Sequence, residues 1–273
     1  MPASVKEVRY HYLRPRQAVA RRRKRPLAWL PLGVLEWHGP QNPLGLDAMK
    51  AKAVCCEAAR RIGGLVMPAL YWGDHRRALA EVVFDPAVSP WYPQDKPDQT
   101  LAIARLMQWP KERLVREADR MDRAGGWRLY TELLVNILFQ IESLGFRRIA
   151  AYAGHAPLRK PLEQAARTFR RGGGKAKVVF LDFPGGEDHA AKRETSLMLA
   201  LFPGLADLRE LAPSVRELSP SGRSARPQRT PRAAKRGERH VGMLGEDPLN
   251  ASAAFGRKMV REFVAAARKR LEL

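Results

Sequence analysis

The chain has 273 residues, of which 45% are hydrophobic, and this is enough apolar material for one large α/β domain or two small ones. It contains no run of about 18 apolar residues and no apolar signal segment, so we expect a cytoplasmic protein without a membrane partner. The formal net charge is +21. The two cysteines, Cys55 and Cys56, are sequence neighbours that could pair only with severe strain, so we expect both to be reduced.

Two segments carry most of the positive charge. Residues 1–25 contain nine Lys/Arg and one acid, and residues 214–240 contain eight Lys/Arg and two acids. Because clustered like charges repel one another and offer no apolar face to bury, we predict a basic N-terminal arm and a basic loop at these positions. Residues 26–273 are predicted to form a single domain.

Strands and helices alternate in the predicted order of elements. Short apolar runs bounded by Gly and Pro predict strands at 27–33, 65–70, 148–153 and 177–183. Helical spacing of apolar residues predicts helices at 48–62, 100–123, 127–144, 161–171, 189–201 and 252–271. Residues 71–125 contain a Pro/Trp-rich stretch and are predicted to be an insertion or lid. The alternation favours a three-layer α-β-α fold with a mostly parallel sheet, whose ligands lie beyond the carboxyl ends of the strands.

Acidic residues and histidines follow two of the predicted strands. Glu36 and His38 stand two residues apart just after the first strand, Asp47 begins the next helix, and His155 follows another strand. In a parallel sheet these positions share one edge, and carboxylate plus imidazole without thiolate suits Zn²⁺, Mn²⁺ or Fe²⁺. The same residue types also serve as helix caps and surface polar groups, so spacing alone leaves both interpretations open.

Four blocks of sequence make the chain resemble the creatininase family. The family pattern L-P-x-G-x-x-E-x-H-G-P-H-L-P-L-x-x-D corresponds to residues 30–47, LPLGVLEWHGPQNPLGLD. The family's helix-strand block ending in N-G-H-G-G-N corresponds to residues 145–158, GFRRIAAYAGHAPL. H-A-G-x-x-E-T-S-x-M-L corresponds to residues 189–199, HAAKRETSLML, and G-V-x-G-D-P is echoed in residues 241–257. The blocks occur in family order.

The resemblance implies a metal-dependent amidohydrolase with two divalent ions, Zn²⁺ and/or Mn²⁺, that cleaves a nonpeptide or cyclic C–N amide bond. It implies that Glu36, Asp47 and His155 bind one ion and that His38 and a shared Asp47 bind the second. Glu194 is the implied remaining carboxylate. His189 resembles the family's proton-handling histidine, and a homo-oligomer, often a hexamer, is implied as well.

The chain also departs from the family pattern. The glutamate that creatininase itself has two places after the strand-end histidine is here Pro157, so Glu194 must serve instead or the second ion is weakly held. A family segment, Y-G-x-S-x-E-H, is only faintly matched, and it gives Trp72, Asp74 and His75 as candidates for the wall of a substrate pocket.

The two basic segments favour a competing function. Clustered Lys/Arg neutralise phosphates regardless of sequence, so the chain could be a catalytically silent creatininase-like fold that binds nucleic acid or another polyanion, or that has a structural role. No nucleic-acid recognition motif accompanies the charge. A pure binder has no reason to retain the set of candidate ligands, which favours the enzyme.

Overall fold

The computed structural model describes residues 7–72, 76–90, 92–211 and 241–273. Its strands are β1 (Leu27–Leu32), β2 (Leu65–Val66), β3 (Arg148–Ala153) and β4 (Lys177–Leu181). Its α-helices are α1 (Pro15–Lys24), α2 (Leu46–Ile62), α3 (Ala80–Val83), α4 (Thr100–Leu106), α5 (Lys111–Arg123), α6 (Gly126–Ser143), α7 (Arg159–Arg171), α8 (Lys192–Leu201) and α9 (Ala253–Arg270). None of the helices in the described part of the chain is both long enough and apolar enough to cross a membrane.

The four strands form one parallel sheet in the order β2-β1-β3-β4. Strands β1 and β3 are the central pair and run in register from Leu27 opposite Arg148 to Leu32 opposite Ala153. Every residue of β1 is buried, as expected for a strand covered on both faces. The carboxyl ends of β1 and β3 therefore lie side by side.

Helices cover both faces of the sheet, so the predicted three-layer α-β-α fold with a mostly parallel sheet is confirmed. Alternate strand residues point to opposite faces. Trp29 and Tyr152 pack with Phe263 of α9 and the apolar side of α2, whereas Leu30 packs with Leu138 of α6 and the apolar side of α7. One apolar cluster thus lies on each side of the sheet.

Three predicted elements differ in extent from the observed ones, each for a local reason. The continuous ladder of the strand predicted at 65–70 covers only Leu65–Val66, and Leu70 forms an isolated bridge with Leu32, because Pro31 of β1 has no N–H to continue the ladder between them. The helix predicted at 100–123 is two helices, since Pro110 interrupts it. The helix predicted from residue 189 begins at Lys192, because the backbone of His189 pairs instead with Leu244.

Residues 7–25 have more structure than their charge predicts. Val8 is buried in the cluster beneath α9, and its carbonyl oxygen accepts a hydrogen bond from the backbone N–H of Val66 at 2.9 Å. Arg22 of α1 donates a hydrogen bond to the carbonyl oxygen of Leu144. Tyr10 and Leu13 also pack against the apolar cluster on the other side of the sheet, so the segment is held on the body although it is strongly basic. The basic loop predicted at 214–240 lies outside the described residues.

Candidate metal centre

The loop that leaves β1 presents two candidate ligands. Glu36 and His38 are both buried, and the ring of His38 is oriented by its Nδ1, which lies 3.1 Å from the carbonyl oxygen of Glu36. A carbonyl oxygen only accepts hydrogen bonds, so Nδ1 carries the proton. The loop is fixed to the start of α8 by Gln41, whose Nε2 donates to the carbonyl oxygen of Ala190 at 2.7 Å. The Nε2 atom of His38 is thereby directed into the site.

Asp47 enters the site at the first turn of α2, where two glycines allow the helix to approach the sheet closely. A Cβ atom at Gly33 would lie 2.2 Å from the backbone nitrogen of Ala48, and one at Gly154 would lie 2.3 Å from the carbonyl oxygen of Asp47. No side chain fits at either distance. The ends of β1 and β3 therefore set the position of Asp47.

The remaining candidate ligands complete the cluster around Asp47. His155 follows β3 and places its Nδ1 atom 2.7 Å from Glu36 Oε1 and 3.3 Å from Asp47 Oδ2. His38 Nε2 lies 3.2 Å from Asp47 Oδ1 and 3.7 Å from Glu194 Oε2. The structure thus brings together the five side chains that the sequence singles out as ligands, and all of them are buried.

These side chains form two overlapping sets of ligand atoms. Glu36, Asp47 and His155 form one set, His38, Asp47 and Glu194 form the other, and within each set the atoms lie within 4.8 Å of one another. Nε2 of His38 and Oδ2 of Asp47 are buried without a hydrogen-bond partner in the described part of the chain. Unsatisfied buried polar atoms are costly unless something binds them. The arrangement fits two divalent ions that share Asp47.

In the metal-free protein, protons bound to the candidate ligands supply part of the positive charge that metal ions would supply. Burial lowers the pKa of His38, but the Asp47 and Glu194 carboxylates outweigh it and raise that pKa to about 9. Burial raises the pKa of Glu36 to about 7, although His155 opposes the shift. The pKa of Asp47 falls well below its usual value, since His38 and Lys50 together overcome the opposing effect of burial. Metal binding must therefore displace protons from imidazole nitrogens.

His189 lies beside the two ligand sets but has a different protonation state. Its Nε2 atom lies 3.0 Å from the carbonyl oxygen of Trp37, so Nε2 carries the proton, and its Nδ1 atom lies 3.9 Å from Glu36 Oε1. Burial and the nearby charge of His38 lower the pKa of His189 to about 3. The imidazole is therefore neutral at pH 7 and has a free lone pair on Nδ1.

A cavity of about 600 Å³ opens over the candidate ligands. The cavity is also lined by the apolar residues Ala80, Val83, Phe84 and Pro157. Of the three residues predicted to line a substrate pocket, Trp72 is 74% exposed and is not among the described residues around this cavity. Asp74 and His75 lie outside the described residues.

Two charged residues that the sequence analysis did not single out also belong to the site. Lys50 is fully buried one turn after Asp47, and its Nζ atom binds Glu194 and lies 2.6 Å from Glu187 Oε2. The other oxygen of Glu187 accepts a hydrogen bond from the Tyr152 hydroxyl at 2.5 Å. The spacing of Lys50 from Asp47, three residues along a helix, was the available signal, because such residues share a face.

Comparison with known proteins gives a family for this arrangement. The family model described as "Creatininase: Creatinine amidohydrolase" matches residues 11–84 and 126–271. The chain belongs to the creatininase family. A curated creatinine amidohydrolase from Pseudomonas putida is 48% identical over 44 residues, which are 16% of this chain and 17% of that protein. The matched stretch therefore spans about one sixth of the length of this relative.

Solved structures of creatininases share the fold over nearly the whole chain. A crystal structure of creatinine amidohydrolase is 22% identical, with a TM-score of 0.59, and covers 97% of this chain and 96% of that one. A structure described as "Creatininase Mn" and a creatininase mutant described as the Zn-Zn type are each 23% identical, with TM-scores of 0.59 and 98% coverage of both chains. At these identities the likeness shows the fold.

Proposed function

We propose that this member of the creatininase family is a divalent-metal amidohydrolase that cleaves a nonpeptide or cyclic C–N amide bond in a small molecule. The observation that carries the proposal is the position of Asp47, whose two oxygens face the two different imidazoles. A carboxylate placed in this way can bridge two ions. The Zn and Mn forms among the related structures support these metals as the ones bound.

The chemistry of the site follows from its ligands. Bound divalent ions would supply a water whose pKa falls to about 7 and a positive field for the oxyanion that forms when this water attacks a carbonyl carbon. The protein holds the ligands rigidly, since Glu36 Oε2 accepts the backbone N–H of Ala80 at 2.8 Å and Glu194 Oε2 accepts that of Ala190 at 2.7 Å. Each of these carboxylates thus keeps one fixed oxygen.

His189 is proposed to move the proton. Its neutral Nδ1 can accept the proton that the attacking water releases and can pass it to the departing nitrogen, so that the C–N bond breaks with an amine as the leaving group. The Nε2–H···O bond to Trp37 keeps the ring in the tautomer that this step requires. His189 lines the cavity beside Glu36 and His155, within reach of a substrate carbonyl.

The cavity supports a small substrate with an apolar side. A volume of about 600 Å³ lies in the range of small-molecule sites. Ala156 and Pro157 line the cavity and offer no polar side chain there. We propose an amide whose non-reacting part packs against Val83 and Phe84, and we do not assign creatinine as the substrate.

The test combines metal analysis with a substrate screen. The purified protein is expected to contain up to two equivalents of Zn²⁺ or Mn²⁺ per chain and to hydrolyse at least one member of a panel of small cyclic and N-acyl amides. Stripping the metal should abolish this turnover, and adding Zn²⁺ or Mn²⁺ should restore it. Absence of bound metal after reconstitution would refute the proposal. Sedimentation of the same sample tests the homo-oligomer that the family resemblance implies.

A further inference from the structure

The proposed second metal position contains a resident cation. Lys50 of α2 is fully buried, and its Nζ atom hydrogen-bonds to Glu194 Oε1 and lies 3.5 Å from Asp47 Oδ1. Both carboxylates belong to the ligand set that also includes His38. The ammonium group therefore lies against Asp47 Oδ1, the oxygen that faces His38, and against Oε1 of Glu194, whose other oxygen lies 3.7 Å from His38 Nε2.

The contacts of Lys50 fall unequally on the two ligand sets. Asp47 offers Oδ2 to His155 in the first set, and Lys50 lies against Oδ1, the oxygen that faces His38 in the second. Both oxygens of Glu194 are also engaged, Oε1 by Lys50 and Oε2 by the backbone N–H of Ala190. An ammonium on these oxygens repels a cation and withdraws ligand charge from it.

We propose that Lys50 is a fixed cation that weakens the second metal position. The set formed by Glu36, Asp47 and His155 then fills first, and the ion held by His38, Asp47 and Glu194 exchanges readily. This inference rests on the proposed two-ion function. It assigns Lys50 as a positioning residue that acts through the ligands and does not touch the substrate.

Glu187 is a second residue that affects the positive charge of Lys50, in the opposite direction. Its Oε2 atom lies 2.6 Å from Lys50 Nζ, and its Oε1 atom accepts the Tyr152 hydroxyl. Glu187 thus offsets part of the positive charge that Lys50 brings to the ligand oxygens. Removing the charge of Lys50 and removing that of Glu187 should therefore shift the affinity of the second position in opposite directions.

The experiment is a Zn²⁺ titration of the stripped full-length protein in competition with a chromophoric chelator. The wild type should bind two ions in separate steps. Lys50→Met should tighten the second step by about 10–100-fold and Glu187→Gln should weaken it, the range expected for residues that contact metal ligands. The first step should change less than the second in both variants. Lys52→Met, on the same helix outside the ligand sets, should match the wild type.

The outcomes separate the inference from the proposed function. Two Zn²⁺ constants in the wild type that neither Lys50→Met nor Glu187→Gln alters would overturn the inference and leave the two-ion function standing. Failure of the wild type to bind Zn²⁺ would overturn both. Since Lys50→Met leaves buried carboxylates unpaired and lowers the stability of the stripped protein, circular dichroism checks its fold. If Lys50→Met does not fold, the Zn²⁺ titration of Glu187→Gln provides the measurement.

Discussion

Asp47 faces His38 across 3.2 Å, from Oδ1 to Nε2, while its second oxygen faces His155. We predict that Asp47→Asn, which keeps the shape and removes the charge, loses both metal ions and all amidase turnover with little change in folding. Elemental analysis after gel filtration measures the metal. Asp182→Asn is the control, because that exposed carboxylate pairs with Arg159 and belongs to neither ligand set. Equal metal in Asp47→Asn and the wild type would contradict the shared role.

The proximity of these ligands was predictable from the sequence because it depends on topology. In a parallel sheet, residues that follow adjacent strands meet at one edge, and Glu36, His38 and His155 follow β1 and β3. Asp47 could be placed as well, since it begins the helix between β1 and β2. The three-layer fold followed in the same way from alternating strands and helices.

Other features could not be predicted, because they depend on contacts between distant segments. Lys50 occupies a buried helical position at which hydrophobic periodicity predicts an apolar side chain, and its partners Glu187 and Glu194 are more than 130 residues away along the chain. Residues 7–25 are anchored by buried Val8 and Ala18 and by partly buried Tyr10 and Leu13, all within a strongly basic stretch. Charge composition contains no information about such a contact.

The role proposed for His189 is in proton transfer and not in metal binding. We predict that His189→Ala lowers kcat by about 10²–10⁴-fold, the usual contribution of a general acid-base group, while the metal content stays at the wild-type level. Turnover of an amide found in the screen and elemental analysis of the same sample measure the two effects. Loss of a metal ion from this variant would instead make His189 a ligand, a role that its distance of 3.9 Å from Glu36 Oε1 permits.

The metal-free protein should lose stability as the pH rises from 6.5 to 9. The pKa of His38 is raised from 6.5 to about 9 in the folded state, so its contribution is fully present below pH 6.5 and is lost as the pH passes through 9. The expected loss from His38 over this pH range is about 3 kcal/mol. Urea unfolding of the stripped protein across this range measures it. His38→Gln should flatten the profile, and an unchanged slope in that variant would contradict the assignment.

The glycines beneath Asp47 should tolerate no side chain. Gly33→Ala places a Cβ atom 2.2 Å from the backbone nitrogen of Ala48, so we predict a loss of about 3 kcal/mol in the free energy of unfolding, together with reduced metal content. Urea unfolding measures the loss. Gly45→Ala is the matched control, because its nearest neighbour would lie at an ordinary 3.4 Å. Equal stability of the two variants would show that α2 can move away from the sheet.

The competing polyanion-binding function predicts a different dependence on charge. Arg14, Arg16, Arg23 and Lys24 are exposed on or beside α1 and make no part of the metal centre. Replacing all four with Gln should leave amide turnover unchanged and should reduce any salt-sensitive retention on DNA. Turnover and DNA-cellulose elution are measured on the same sample. A fall in turnover would show that α1 contributes to amide hydrolysis.

The residues proposed for hydrolysis and those proposed for substrate selectivity lie in different segments of the chain. The candidate ligands come from the strand ends and the first turns of α2 and α8, whereas Ala80, Val83 and Phe84 are apolar residues that line the same cavity. The two segments are joined by a hydrogen bond from the backbone N–H of Ala80 to Glu36. Because the donor is the backbone, this bond does not depend on the side chain at position 80. We therefore expect a mutant library confined to Ala80 and Val83, and excluding proline at position 80, to change which amides are accepted while the candidate ligands stay in place; Phe84 is left out because its ring lies 5.7 Å from that of His189.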